Sequence, residues 1–473
     1  MRRVTTDVAV IGAGPAGSTF ATRMAQLGFD VCLIERAPFP RRHLGESLSP
    51  GVMPLLATVG SDVYVAAGSP TRVSAVSTNW GGAETVRHDP RAQGMLVDRG
   101  AFDAALLARA HAVGVQVLQP AHLREHVGDP EGWRLRVDTM GASIDLRARF
   151  LVDASGRSAR LGGRRRAMGP RTIAIHAYWT GTRLPVQPRI EAGEREWYWG
   201  VPLPDGTYNT LVFVDGERFR GERGASLDER LRALLGRSSL MRESRGAALV
   251  APVRAADATA YVDDDCVSAR HIRIGDAALA LDPLSSTGVQ KAIQTALSGA
   301  IVVNTLLRRP AASEAAIRFY RDSIHDAAAR HRVWASSHYA TAAARFGDPF
   351  WTARSDVATL PGSGAAALPA TGAVIEDDAP VRISPEATWH ELPCLGHHFV
   401  ELRPVLRHPR LDGAVAYVGG HDLAPLLLQA RAGMTSRQLA VAWSGSMPVA
   451  TGLSIARWLS GHGVLERCAA VSP

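Results

Sequence analysis

Near the N-terminus, the succession of apolar and polar runs predicts a strand, a tight turn, a helix and a second strand. The first apolar run ends at Ile11 and passes directly into a glycine-rich segment. The second, Val31-Cys-Leu-Ile34, ends at the acidic residue Glu35. This order of elements over residues 4–36 is typical of the first part of a nucleotide-binding α/β domain.

Two later apolar segments predict further strands of the same domain. Phe150-Leu-Val-Asp153 ends in a polar turn, and Ile272-Arg-Ile-Gly275-Asp276 precedes a helix predicted from about Val289 to Leu307. We therefore predict one nucleotide-binding domain assembled from three separated pieces of the chain, at about 1–50, 95–160 and 265–310.

Between these pieces, apolar and polar residues alternate with a period of two. The alternation is clearest over 171–180 and 197–215, and it predicts an inserted antiparallel sheet over about 165–260. Pro204-Asp205-Gly206 is a turn signal within one of its hairpins. We expect this sheet to form the substrate side of a first domain that comprises residues 1–350.

The C-terminal part predicts a helix over 313–345, a linker over 351–380 and a small unit over 381–473. The linker is clearest at 359–373, where glycine, alanine and proline dominate. In the small unit, Thr435-Ser-Arg-Gln438 is a capping-box start. A last helix is predicted from Pro448 to Gly461 and Gly463. Its apolar face is expected to contain Val449, Leu453, Ala456 and Leu459. The unit therefore reads as mainly helical and similar to a winged-helix domain.

Composition and charge narrow the class of protein. Hydrophobic residues make up 46% and charged residues 21% of the 473 residues, as in globular domains. No apolar run reaches the ~18 residues that a membrane span needs, and the N-terminal stretch lacks the features of a signal peptide. The four cysteines are far apart and have no metal-binding spacing. We expect a cytoplasmic protein with reduced thiols, no metal ion and no membrane partner.

The net charge of +8 does not by itself predict a nucleic-acid partner. Lys291 is the only lysine, and the arginines are spread along the chain. No nucleic acid is therefore expected.

The segment after the first strand has the spacing of a dinucleotide-binding turn. Glycine at positions 12, 14 and 17 permits a tight turn and lets the backbone approach a pyrophosphate at the helix N-terminus. Glu35 is the acid expected to bind ribose hydroxyls. This pattern alone does not distinguish FAD from NAD.

Two later motifs resemble the second and third FAD motifs of aromatic hydroxylases. They are Leu151-Val-Asp153-Ala-Ser-Gly156-Arg157 and Ile274-Gly275-Asp276-Ala-Ala-Leu-Ala-Leu-Asp282-Pro283. The resemblance implies FAD as cofactor. It also implies an α/β fold, in which a Rossmann-like FAD-binding domain of the aromatic hydroxylase type carries the inserted antiparallel substrate sheet.

The same resemblance assigns roles to individual positions. Asp276 is expected to bind the ribityl chain, the backbone after Pro283 to lie beside the isoalloxazine, and Arg99 to lie near the pyrophosphate. The loop 42–47 is expected to face the flavin. The residues implied in FAD binding are Gly12, Ala13, Gly14, Pro15, Ala16, Gly17, Glu35, Arg36, Arg42, Ser47, Arg99, Asp153, Asp276, Pro283, Thr287, Gly288 and Val289.

Over most of residues 4–350 the chain resembles flavin-dependent halogenases and related monooxygenases more closely. Trp197-Tyr-Trp199-Gly-Val-Pro202 is similar to their tryptophan–x–tryptophan–x–x–proline motif, although Glu196 replaces a glycine. Asp282-Pro-Leu-Ser-Ser-Thr-Gly288 is similar to their loop beside the flavin.

Two catalytic groups of those halogenases are missing from this chain. No lysine occurs in 70–90, and Ser285 stands where tryptophan halogenases carry a glutamate. The departures favour direct hydroxylation of an electron-rich aromatic ring through a flavin hydroperoxide, with O₂ as co-substrate.

Direct oxygen transfer needs a site that excludes water, holds the ring close to the oxygen and accepts a proton. Trp197 and Trp199 alternate onto one face of a strand, where they either line such a site or pack the sheet. His176 either points into the same space or is a structural histidine. The candidate catalytic residues are His176, Trp197, Trp199 and Glu46. His331 and His338, seven apart on a helix, are expected in the core or on the surface.

The motifs give less evidence for the electron donor and the substrate than for FAD. No second dinucleotide-binding pattern occurs, so either reduced nicotinamide binds transiently or a separate flavin reductase supplies electrons. The small tethered unit suits a grip on a polypeptide. With the missing lysine, it makes the chain similar to the flavoprotein monooxygenases that mature quinohemoprotein amine dehydrogenase. That family hydroxylates a tryptophan of the small subunit during tryptophylquinone biogenesis, which implies this subunit as partner.

Two other functions stay open. One is a flavin-dependent halogenase or hydroxylase of a small natural product. The other is an FAD-sensing regulator that binds DNA through the C-terminal unit. Its recognition helix at 449–460 has one arginine, Arg457, and no lysine, which is few cations for phosphate contacts.

Overall fold

The computed structural model describes residues 2–89, 93–221, 224–356 and 375–469. The chain divides into two compact units. The first comprises Met1–Ser313 and Tyr320–Thr359, and the second comprises Glu314–Phe319 and Leu360–Pro473. Of the linker expected at 351–380, residues 357–374 lie outside the described residues, and the first part instead belongs to the helix Pro349–Ser355.

A seven-stranded sheet forms the centre of the first unit. In spatial order its strands are Gln116–Leu118, Val31–Ile34, Arg2–Ile11, Ser143–Asp153, Gly132–Thr139 and Ala121–Asp129, and His271–Arg273 also pairs with Ser143–Asp153. The predicted strands pair in parallel, with Val8 beside Val31 on one side and Phe150 on the other. Parallel strands are covered on both faces, which explains their continuous apolar runs.

Helices pack around this sheet, and the two whose bounds were predicted, Gly288–Arg308 and Ser313–Phe346, end within a residue of the prediction. Pro15–Gln26 packs against Arg99–Ala112 and Gly288–Arg308. Ser313–Phe346 confirms the alanine-rich and arginine-rich helix. The shorter helices of this unit are Val52–Ala57, Asp62–Ala67, Gly216–Gly221, Leu227–Leu235 and Pro349–Ser355.

An eight-stranded sheet, here called the substrate sheet, is inserted as predicted. In spatial order its strands are Ala248–Leu249, Thr172–Thr180, Tyr208–Asp215, Trp197–Pro202, Arg189–Ala192, Ala75–Asn79 and Thr85–His88, and Arg254–Asp257 also pairs with Thr172–Thr180. The hairpin turn is confirmed, with the Gly206 amide donating to the Leu203 carbonyl (3.0 Å). The sequence did not reveal that Ala75–Asn79 joins this sheet, parallel to Arg189–Ala192.

Two small three-stranded sheets complete the first unit. One contains Arg165–Ala167, Tyr261–Asp263 and Leu279–Ala280, and the other contains Ser47–Leu48, Gly94–Leu96 and Thr71–Val73. The second of these fixes the end of the loop 42–47.

The second unit combines three helices with short strands. The helices are Leu423–Leu427, Ser436–Ala442 and Val449–Gly461. The strands are Pro380–Ile383, Thr388–Leu395, Val400–Arg407, Tyr417–Val418, His421–Asp422, Met434–Thr435 and Leu465–Arg467. The predicted capping box is confirmed, because the Thr435 hydroxyl accepts from the Gln438 amide and the Gln438 side chain accepts from the Thr435 amide.

The buried face of the last helix differs from the prediction. Val449 is 45% exposed, and the buried residues are Gly452, Ile455, Ala456, Leu459 and Ser460. The reason is a close helix contact, because a Cβ atom on Gly452 would lie 3.1 Å from the Ala440 Cα. This approach turns Val449 away from the core of the unit.

Candidate active site

The glycine turn combines one crowded position with one open position. A Cβ atom at Gly17 would lie 1.8 Å from the Gly12 carbonyl oxygen, so the helix and the turn approach too closely for any side chain. Gly12 itself has a φ of +98°, which favours glycine. At Gly14, which caps the helix, no heavy atom lies within 4 Å of such a Cβ. Among the described residues, the helix start at Gly14 is therefore unobstructed, as binding of a pyrophosphate to its free N–H groups requires.

Glu35 holds this turn through both carboxylate oxygens. One accepts from the Ala13 amide (2.8 Å) and the other from the Ala37 amide (2.9 Å), and the residue is 5% exposed. Its expected contact with ribose hydroxyls stays a prediction, and so does a role for Arg36, which is exposed.

Asp153 has a similar local role after the neighbouring strand. Its oxygens accept from the Ser155 amide (3.0 Å), the Ser155 hydroxyl (2.6 Å) and the Leu161 amide (2.9 Å). The carboxylate fixes the turn beside Gly12, and any contact with FAD stays a prediction.

Arg99 holds the loop 42–47. Its guanidinium forms a buried ion pair with Asp103 (3.0 Å) and donates to the Leu44 carbonyl. Asp103 in turn attracts Arg41 at 3.6 Å. The arginine that resemblance places near the pyrophosphate therefore positions the loop expected to face the flavin.

Glu46 ties that loop to the substrate sheet. One oxygen accepts from the Tyr178 hydroxyl (2.6 Å) and the Asn209 amide group (3.0 Å), and the other accepts from the Gly45 amide (2.9 Å). Burial raises the pKa of the Glu46 carboxyl, although these donors and Arg99 oppose the shift. Arg42 lies over the Tyr178 ring at 5.2 Å.

Asp276 and Lys291 form the charged pair next to the third motif. The Lys291 ammonium donates to the Asp276 carboxylate (2.7 Å) and to the Leu279 carbonyl. Burial opposes ionisation of Asp276, but the charges of Lys291 and Arg157 outweigh it and lower the pKa of this carboxyl. Lys291 is 5% exposed, so its ammonium is committed to this pair.

The segment Asp282–Gly288, here called the flavin loop, leads into a second open helix start. Asp282 accepts from the Leu284 amide (3.0 Å) and begins the turn Pro283–Ser285. The hydroxyls of Ser285 and Thr287 lie 2.8 Å apart. No heavy atom lies within 4 Å of a Cβ atom placed on Gly288, where the helix begins, one residue before the partly buried Val289.

One face of the substrate sheet carries three of the four candidate catalytic residues in register, and the fourth, Glu46, lies on the loop 42–47. His176 pairs with Leu211, and Leu211 pairs with Trp199 on the next strand. His176 and Trp199 therefore lie two strands apart, or about 10 Å. In the next row, Trp197 pairs with Phe213. The prediction that Trp197 and Trp199 share a face is thus confirmed by the strand register.

The two tryptophans differ in what surrounds them. Trp197 is 1% exposed and stacks on Phe213, with ring centroids 3.7 Å apart. It also contacts Trp80 edge-on at 6.3 Å, so packing accounts for its position. Trp199 is partly exposed at the margin of the same apolar cluster, and its catalytic role stays a prediction.

His176 is a buried polar side chain of this face. It is 9% exposed, and no hydrogen-bond partner for its Nδ1 occurs among the described residues. Burial and the nearby charge of Arg254 lower its pKa to about 4. The ring is therefore neutral at neutral pH, with one nitrogen available to accept a proton or a hydrogen bond.

Sequence reasoning missed several residues that complete this region. Tyr178 and Asn209 bind Glu46, and Tyr339 donates to both Asp282 oxygens (3.0 Å each). Tyr178 lies two residues after His176 on one strand, so the period of two places it on the same face. No local pattern marks Tyr339.

Within the described ranges, no helix has the length and apolar character that crossing a bilayer requires, and no group of three or more His, Cys, Asp or Glu residues is placed to hold a metal ion.

Comparison with known proteins adds the family. A family model described as an FAD binding domain matches residues 5–331. A tryptophan 2-halogenase from Chondromyces crocatus is 31% identical over 371 residues, which cover 74% of this chain and 70% of that protein.

Two solved structures match over nearly the whole chain. The peptidyl tryptophan dihydroxylase QhpG, essential for tryptophylquinone cofactor biogenesis, has a TM-score of 0.73 and 28% identity, covering 97% of this chain and 100% of its own. The flavin-dependent halogenase CmlS has a TM-score of 0.77 and 22% identity, covering 99% and 98%. Since a protein described as a dihydroxylase and one described as a halogenase both share the fold throughout, the C-terminal unit does not by itself distinguish these two activities.

The open space at Gly14 and Gly288 and the acid at Asp276 fit FAD, and the family model covers all three positions. The chain therefore belongs to the FAD binding domain family, and it is an FAD-dependent oxidative enzyme of the flavin-dependent halogenase and monooxygenase superfamily.

Proposed function

We propose that this enzyme is an FAD-dependent monooxygenase that hydroxylates a tryptophan side chain in a polypeptide. One observation carries the choice of hydroxylation over halogenation. The only lysine, Lys291, is committed to Asp276 and the Leu279 carbonyl, and no lysine lies on the substrate sheet. The amine that resemblance assigns to halogenation is therefore missing from the substrate side.

The aromatic ring is argued from the substrate sheet and from the relatives. Both the 31% identical relative and the 28% identical structure carry tryptophan in their names. In this chain, the neutral His176 offers an acceptor for an indole N–H, and Trp199 offers a partly exposed ring face in the same row. An indole placed between them would meet both groups.

The polypeptide substrate is argued from the dihydroxylase alone. Its chain is covered completely, with identity above that of the halogenase of similar fold. We propose the small subunit of a quinohemoprotein amine dehydrogenase as the polypeptide. Bound FAD supplies the activation of O₂, and the residues of this chain hold the ring, accept its proton and exclude water.

A halogenase acting on tryptophan or on a small natural product is the second candidate. The identity to a tryptophan 2-halogenase favours it. Halogenation by this chain would require other groups to take over two roles. One is the role of the missing lysine, and the other is the role of the glutamate that is replaced here by Ser285.

One experiment separates the two. The purified enzyme with FAD is supplied with O₂, bromide and either free tryptophan or a tryptophan-containing peptide from the small subunit. Reduced nicotinamide is added with and without a flavin reductase, which identifies the electron source. We expect a peptide product that gains oxygen from isotope-labelled O₂. A brominated product would contradict hydroxylation, and equal rates with free tryptophan would contradict the polypeptide substrate.

A further inference from the structure

The helix Ser313–Phe346 forms hydrogen bonds to the flavin loop at Asp282. The Asp282 amide donates to the His331 Nε2 (2.9 Å), and the Tyr339 hydroxyl donates to both Asp282 carboxylate oxygens (3.0 Å each). One side chain thus holds the backbone of Asp282 and another holds its carboxylate. The orientation of this residue is fixed from outside the loop.

The held carboxylate also sets the conformation of the loop itself. It accepts from the Leu284 amide (3.0 Å) and so begins the turn Pro283–Ser285. Ser286, directly after this turn, has a φ of +52°, a left-handed conformation that is unfavourable for serine. Such a conformation persists where the surrounding structure imposes it. The hydrogen bonds to Asp282 are one part of the structure that can maintain this conformation of Ser286.

The two helix residues that form hydrogen bonds to Asp282 are neutral, and both are at least partly buried. Tyr339 is 2% exposed, and its ring packs near Trp80 (6.4 Å) and Trp351 (5.9 Å). Burial lowers the pKa of His331 to about 4, so its Nε2 stays an acceptor at neutral pH. The cations that act on Asp282 are Arg354 and Arg157.

We infer that His331 and Tyr339 are positioning residues that hold the flavin loop through Asp282 and thereby determine how much of the consumed oxygen reaches the substrate. The inference rests on the proposed oxygen transfer. With two electrons and two protons, O₂ either inserts one oxygen into a substrate C–H bond and forms water, or leaves as hydrogen peroxide. A loop that shifts away from its fixed position favours peroxide, because the substrate ring and the reacting oxygen are no longer aligned.

The test compares Tyr339→Phe and His331→Leu with a matched control, Tyr320→Phe. Tyr320 lies on the same helix, is fully buried and donates to the Arg273 carbonyl (2.8 Å), away from the flavin loop. Each variant loses one buried or half-buried hydrogen-bonding group, so all three are expected to lose stability. Peroxide released per reductant oxidised, the visible spectrum of bound FAD and the unfolding midpoint are measured for each.

We expect Tyr339→Phe and His331→Leu to raise the peroxide fraction about ten-fold, as loss of a hydrogen bond to a charged or loop-fixing group allows, and to shift the flavin spectrum. Tyr320→Phe should change neither, and His331→Gln, which keeps an acceptor, should restore most of the coupling. Equal peroxide fractions and spectra in Tyr339→Phe and Tyr320→Phe would overturn the inference. If no substrate is hydroxylated at all, the proposed function fails, while the spectral comparison still decides whether the helix holds the loop.

Discussion

The glycine turn allows a prediction in which two neighbouring glycines have opposite effects. Gly17→Ala should damage the fold, whereas Gly14→Ala should leave the fold intact and damage FAD binding. The two positions lie three residues apart. If the two variants differ in stability and in FAD affinity, the difference therefore reflects the immediate surroundings of each glycine.

The magnitude for Gly17 follows from the distance to its neighbour. The new methyl group would lie 1.8 Å from the Gly12 carbonyl oxygen and 3.1 Å from the Ala154 Cβ. Overpacking a well-packed interior typically costs about 1–3 kcal/mol. Because the obstructing atom is backbone and cannot rotate away, we expect the upper end, about 3 kcal/mol, in the free energy of unfolding.

The magnitude for Gly14 follows from open space. Its φ of −67° is accessible to alanine, and no heavy atom lies within 4 Å of the new methyl group. Replacing glycine by alanine at a compatible position stabilises a protein by about 0.4–1 kcal/mol through the unfolded chain. The methyl group enters the space that fits the pyrophosphate, so FAD affinity should fall at least about ten-fold, or 1.4 kcal/mol.

Denaturant unfolding of the apoprotein and titration of flavin fluorescence measure the two effects separately. An unchanged unfolding midpoint for Gly17→Ala would refute the close approach of turn and helix. Wild-type FAD affinity in Gly14→Ala would refute the placement of the pyrophosphate at this helix end.

Two further predictions concern buried charge. Lys291→Met should lower the free energy of unfolding by about 2 kcal/mol and weaken FAD binding, because Asp276 then loses its nearest cation, while Arg157 lies farther away, at 3.9 Å. Lys291→Arg is the matched control, and equal denaturant midpoints for the two variants would contradict this prediction. Burial raises the pKa of Glu46 above 4.5, so its protonated form stabilises the fold below that pH and this contribution is lost as pH rises through the folded value. As pH rises from acidic to neutral, the stability of Glu46→Gln should therefore increase relative to that of the wild type. If the difference between the two unfolding midpoints does not change with pH, this prediction is wrong.

The parts of the fold that sequence predicted are those specified by neighbouring residues. The glycine turn, the hairpin at Gly206 and the capping box at Thr435 each depend on residue types within a few positions. Apolar runs and alternation likewise specified the parallel strands and the substrate sheet.

Contacts between distant segments were not predictable in this way. Tyr339 and Asp282 are 57 positions apart, and neither the helix period nor the loop composition marks the tyrosine. In the helix Val449–Gly461, Ala456 and Leu459 are buried as predicted, but Val449 is exposed because Gly452 approaches Ala440. A contact between two helices cannot be read from the period of one. The different surroundings of Trp197 and Trp199 could not be predicted either, because the alternating pattern places both on the same face. Only the packing of neighbouring side chains distinguishes them.

The cations nearest the flavin loop support oxygen transfer over halogenation for one physical reason. Lys291 is bound by Asp276 and the Leu279 carbonyl. Arg354 donates to the Thr172 hydroxyl (2.9 Å) and the Phe350 carbonyl (2.8 Å). A group that receives hypohalous acid needs an N–H or amine in the substrate space, and both cations instead donate to protein acceptors. On the substrate sheet, the Nδ1 of the neutral His176 is one of several buried polar atoms without a hydrogen-bond partner among the described residues, and an unpaired imidazole nitrogen suits the removal of a ring proton.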